Sequence, residues 1–140
     1  MLKGLPVLFV LCFAGLLSAQ TPADSILKKV TPQPETMRTY YMVFLKKGPN
    51  WTSEKTEETA KIQAGHMAHI QKMADSKKLL LAGPFMDNQE IRGIFVFKVD
   101  TMEEAKALTD EDPAVKAGRL IMEIHPWYSA KGINIDPLKE

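Results

Sequence analysis

The chain has 140 residues, 45% hydrophobic and 25% charged, which is enough for one globular domain and short for two. Lys and Arg number 18 against 17 Asp and Glu, with no basic block, which argues against a dedicated nucleic-acid binder. Three histidines and one cysteine leave little material for a structural metal framework, and no metal or cofactor is implied.

Met1 to Gly4 is a short basic segment, followed by an apolar run from Leu5 to Leu17 and then Ser18-Ala19-Gln20. This is the pattern of a secretory signal peptide over residues 1–19, and the run is shorter than the roughly 20 residues that a membrane-spanning helix needs. Cleavage after Ala19 removes Lys3 and Cys12, leaving an exported chain, periplasmic or secreted, with no disulfide and no stable membrane insertion. Residues 20–37 are polar, carry Pro22, Pro32 and Pro34, and read as a spacer. The folded domain is expected over 38–127, with a tail over 128–140.

Thr39 to Lys46 is aromatic and β-branched and predicts a strand that Gly48-Pro49 ends. Thr52 or Ser53 is expected to cap a helix with Glu54, Glu57 and Glu58 in its first turns, running to about Ser76. Leu79 to Ala82 and Gly93 to Val99 read as two further strands. Thr101 and Glu104 form a capping-box signature for a helix from Met102 to about Thr109. Asp112 before Pro113 caps one more turn, Gly118 ends it, and Arg119 to Trp127 is the last strand.

Two such split β-α-β units point to an α+β, ferredoxin-like sandwich, whose helices cover one sheet face. The first strand is nevertheless apolar on both faces, with Tyr41, Val43 and Leu45 opposite Tyr40, Met42 and Phe44. Strands of that kind are buried twice, so a second copy packing sheet on sheet is expected, giving a homodimer.

On a helical wheel at about 100° per residue, Ile62 and Ile70 flank His66 by about 40° on either side, with Met73 close by. His66 therefore sits at the centre of the apolar stripe and His69 toward its edge. A buried imidazole needs a partner, and the pattern admits two roles: a core histidine bonded to a backbone carbonyl, or a general acid or base held in a small pocket. Asp112 likewise is either a helix cap alone or a carboxylate that orients His66.

Several ordered blocks carry a resemblance: His66-Met67-Ala68, Leu79-Leu80-Leu81-Ala82-Gly83-Pro84, Ile91-Arg92-Gly93, Asp112-Pro113-Ala114-Val115-Lys116-Ala117-Gly118 and His125-Pro126-Trp127. Together they resemble the YCII-related family from about Arg38 to Trp127. The resemblance implies a ferredoxin-like dimer of the dimeric α/β-barrel type, with a cleft holding a His–Asp pair. Matched position by position, that pair falls on His66 and Asp112. Some relatives are associated with elimination chemistry on chlorinated aromatic compounds, which needs little beyond a positioned base.

Around this pair, Gly83, Pro84 and Phe85 are candidates to line a substrate pocket, although Gly83-Pro84 alone is accounted for as a turn. Trp51 either lids the cleft or packs its loop, and Trp127 either reaches the pocket or packs the strand end. Arg92 is a candidate for holding an anionic substrate or a solvated turn residue. Asn50-Trp51-Thr52 fits a glycosylation sequon, a triplet common by chance.

Three functions follow: a small-molecule enzyme of lyase or hydrolase type using His66 and Asp112, an exported ligand-binding or accessory domain without chemistry, and metal binding through His66, His69 and His125. The wheel weighs against the third, because it places His66 toward the core and His69 at its margin, and the carboxylates show no spacing typical of zinc sites.

Overall fold

The computed structural model describes residues 34–132. The expected signal peptide, nearly all of the spacer and residues 133–140 of the tail lie outside the described residues. Among the described residues no helix is long and apolar enough to cross a membrane.

After a 3-10 turn at Pro34–Thr36 come β1 (Met37–Lys47), α1 (Glu57–Asp75), β2 (Leu79–Pro84), β3 (Ile91–Phe97), α2 (Met102–Asp110), α3 (Pro113–Lys116) and β4 (Leu120–Ala130). The four strands form one antiparallel sheet in the order β2-β3-β1-β4, the ferredoxin-like arrangement read from the sequence. Strands β1 and β4 are longer than expected because they pair along their whole length, from Met37 opposite Ala130 to Lys47 opposite Leu120.

The largest departure is at the start of α1. The helix begins four residues beyond Ser53, capped by Thr56, whose Oγ1 accepts from the Thr59 amide while Thr59 Oγ1 accepts from the Thr56 amide. This reciprocal box satisfies two otherwise orphaned donors, whereas Thr52 spends its hydroxyl on the Glu54 amide in a local turn. At α2 the Thr101 hydroxyl caps the Glu104 amide as expected, but the Glu104 carboxylate reaches the Asp100 amide instead of closing the box on Thr101. Its carboxyl lies below the usual range because Lys78 hydrogen-bonds to it, as does the Asp100 amide.

The two sheet faces differ as alternation requires. Tyr41, Val43, Leu45, Phe95, Phe97 and Leu79 point to the helices and join Met73, Ala105 and Ala114 in the core. Phe95, Phe97, Val43 and Met73 are essentially inaccessible, and burying each such side chain contributes about 1.5–3 kcal/mol. The opposite face carries Tyr40, Met42, Phe44, Ile94 and Val96, with Ile121 and Trp127 beside them on β4. No helix covers it among the described residues.

Candidate active site

His66 lies on the inner face of α1 between Ile62 and Ile70, and its ring stacks on Phe95 of β3 with centroids 6.1 Å apart. Its Nδ1 donates to Asp112 Oδ2 at 2.7 Å. Asp112 is 0% exposed and His66 only 7%. The other carboxylate oxygen, Oδ1, accepts from the Ala114 amide at 2.8 Å and caps α3. The two sequence readings of Asp112 are thus both realised, one on each oxygen. A carboxylate taken wholly out of water demands such saturation, because an unpaired buried charge is costly.

The bond at Nδ1 fixes the ring's orientation and, with the proton on Nδ1, leaves Nε2 as the basic nitrogen. Nε2 has no protein partner among the described residues. His66 forms part of the wall of a cavity of about 340 Å³, together with Leu45, Trp51, Gln63, Met67, Ile70, Ala82, Gly83, Pro84, Arg92, Gly93, Phe95 and Leu120. The volume suits a small organic molecule, and most of the wall is apolar.

Trp51, Gly83 and Pro84 therefore stand with His66 around one cavity. Two other candidates do not. Phe85, the residue after the end of β2 at Pro84, is 40% exposed and lies outside the wall. Trp127 is opposite Tyr40 in the β1–β4 register, and the two rings pack at 6.0 Å on the sheet face away from His66. Alternation along β4 decides this: Leu120, Met122 and Ile124 face the helices, so odd-numbered Trp127 cannot.

The three histidines are engaged separately. His69, expected at the stripe edge, is buried and donates Nε2–H to the Leu108 carbonyl at 2.8 Å. His125 meets Glu123 on the open sheet face at 2.8 Å. Among the described residues no three His, Cys, Asp or Glu side chains converge on a common point.

Trp51 carries a feature that sequence reading missed. The Arg119 guanidinium carbon lies 4.5 Å from its ring centroid, that of Arg92 5.4 Å and Lys47 Nζ 5.9 Å. Backbone bonds create the cluster: Gly48 N to Arg119 O at 3.0 Å and Asn50 N to Gly118 O at 2.9 Å tie the loop after β1 to the start of β4. No local sequence pattern joins residues so far apart in the chain.

The profile of the YCII-related domain matches residues 39–128. The uncharacterized protein YjpA of Bacillus subtilis (strain 168) is 33% identical over 68 residues, covering 49% of this chain and 78% of that protein. Among solved structures, the chain is similar to 5-chloro-2-hydroxyhydroquinone dehydrochlorinase from Burkholderia phenoliruptrix AC1100, in complex with 2,5-dihydroxybenzoquinone. That likeness has a TM-score of 0.47 and 18% identity, and covers 63% of this chain and 92% of the other. With the profile matching residues 39–128, more than half of the chain, this chain belongs to the YCII-related domain family.

Proposed function

We propose that the protein is a small-molecule enzyme in which His66 is the general base and then general acid, with Asp112 holding it. The observation that carries this reading is the Nδ1–Asp112 bond of 2.7 Å on an imidazole that forms part of a cavity wall. Nε2 takes a proton from the substrate, and the carboxylate at Nδ1 compensates the imidazolium that results. Of the lyase and hydrolase classes, the cavity favours the lyase. Its wall has no Ser, Thr or Cys for a covalent hydrolase, so hydrolysis there would need a bound water as the nucleophile. A lone base in an apolar pocket suits elimination: a C–H bond breaks toward Nε2, its electron pair forms the new double bond, and the leaving group departs with its own pair. The proton then returns from Nε2 to the leaving group or to water.

The open sheet face supports a homodimer. Met42, Phe44, Ile94 and Ile121 form an apolar surface that a second copy would cover. A Phe44→Asp variant is expected to sediment as a monomer where the parent protein is a dimer. Export through residues 1–19 completes the proposal, and the mature N-terminus isolated from an expressing cell tests it.

The decisive experiment is turnover of His66→Gln on a substrate found by screening elimination and hydrolysis reactions. A loss of about 10²–10⁴-fold is expected. Unchanged turnover would remove the acid–base role and leave the alternative, a binding domain.

A further inference from the structure

The cations around Trp51 lack the partners that surface arginines and lysines ordinarily find. The Arg119 side chain makes no hydrogen bond or ion pair with any described residue and stacks on Trp51, with Nη1 buried and unpartnered. Arg92 donates from Nη1 to the carbonyls of Asp87 and Gln89, at 2.6 and 3.4 Å, while Nε is buried without an acceptor. Lys47 reaches only the Asn88 carbonyl. None of the three meets a carboxylate among the described residues, although Glu54 stands in the cleft beside Arg119. Three like charges gathered on one indole repel each other, and the ring's quadrupole offsets only part of that repulsion.

Arg92 and Trp51 belong to the wall of the His66 cavity, and Gln63 is shared between that wall and the cleft holding Arg119. Arg92 and Trp51 thus line the same cavity as His66 and its apolar residues, and Arg119 stacks on Trp51 from the adjoining cleft. We infer that the ligand is a small organic anion: a carboxylate received by Arg92 and Arg119 at the edge of Trp51, on an apolar body that fills the cavity toward His66. A guanidinium donates in its plane and matches the planar carboxylate. Free phosphate has no apolar body for Leu45, Ile70, Phe95 and Leu120 to cover. This inference rests on the cavity being the substrate site, and it narrows the substrate class.

The test uses the folded protein with benzoate as the probe, benzamide as its neutral counterpart and inorganic phosphate as the non-organic anion. Binding is followed by calorimetry and by the Trp51 indole resonance. Benzoate is expected to bind, more weakly as NaCl rises, with benzamide and phosphate each about tenfold weaker or more. Arg92→Gln and Arg119→Gln should each weaken benzoate about tenfold, and the double variant should erase the preference over benzamide. Arg92→Lys and Arg119→Lys should keep that preference, which guards against a result caused by misfolding. Equal binding of benzoate and benzamide, phosphate binding as well as benzoate, or a double variant within about twofold of the parent protein would overturn the inference.

The two proposals have separate readouts: turnover of His66→Gln for the acid–base role, and benzoate against benzamide on protein with His66 intact for the anion site. If charge-selective binding persists while no reaction depends on His66, the acid–base reading fails and the anion site stands. If His66-dependent turnover is found with no preference for anionic substrates, the anion site fails and the catalytic reading stands.

Discussion

Gly65 and Pro113 stand so close that a methyl group on Gly65 would lie 3.1 Å from Pro113 Cγ. This tight approach brings α1 onto α3, one residue from His66 on one side and one residue from Asp112 on the other. Glycine weakens a helix by roughly 0.5–1 kcal/mol relative to alanine, so its presence mid-helix is explained by what it lets approach. Gly65→Ala should gain propensity but push the two elements apart by a few tenths of an ångström. The expected outcome is little net change in Tm, together with a lengthened His66–Asp112 bond that shows as a shift of the His66 ring 15N resonances.

Asp112 offers a cleaner separation of roles, because its two oxygens do different work. Asp112→Ser retains a cap for α3 and loses the bond to His66; Asp112→Ala loses both. Serine should therefore recover about 1 kcal/mol of the stability that alanine loses, measured by denaturant unfolding. Neither variant should hold His66 in the Nδ1–H tautomer, and both should be impaired in turnover. Recovery of activity by serine would show that Asp112 acts only as a cap.

At Gly48 the constraint is backbone against backbone. A Cβ there would fall 2.3 Å from the Gly118 carbonyl oxygen, which is held by the Asn50 amide and cannot swing away as a side chain can. Gly48→Ala should cost about 1–3 kcal/mol in unfolding free energy. It should also displace Trp51, seen as a change in indole fluorescence. The corresponding change at Gly83, where added bulk meets nothing, should leave stability nearly unaltered.

Acid should act on the open sheet face. His125 and Lys46 both hydrogen-bond to Glu123 and hold its carboxyl below the usual carboxylate range. A depressed folded-state value contributes stability above the unfolded carboxylate range, and that contribution is lost as pH falls through the folded-state value. Glu123→Gln should therefore lower stability slightly at neutral pH and converge on the parent protein in acid, which flattens the acid limb of the stability curve. The effect is small because the group is solvated.

Periodicity and capping chemistry made most of the fold legible. Ile62, Ile70 and Met73 place His66 inward, and Asp112-Pro113 marks α3 from the sequence alone. The start of α1 was not legible, because Thr52, Ser53 and Thr56 are all able caps and only Thr56 has a reciprocating partner three residues on. The choice between the two roles open to Trp127 needed the register: a tryptophan at a strand end faces one side or the other by parity alone. Arg119 was invisible as a site residue because the bonds of Gly48 and Asn50 to 118–119 bring it to Trp51, and such pairings leave no local trace.

The His66–Asp112 bond joins residues 46 apart in sequence, on elements whose own hydrogen bonds do not require each other. A loosened state that kept α1 helical but undocked α3 would still show native far-ultraviolet dichroism, yet its imidazole would be an ordinary solvated one. The chemistry should vanish at the first loss of side-chain packing, ahead of the helices, so activity measured against denaturant becomes a sensitive gauge of tertiary order in this domain.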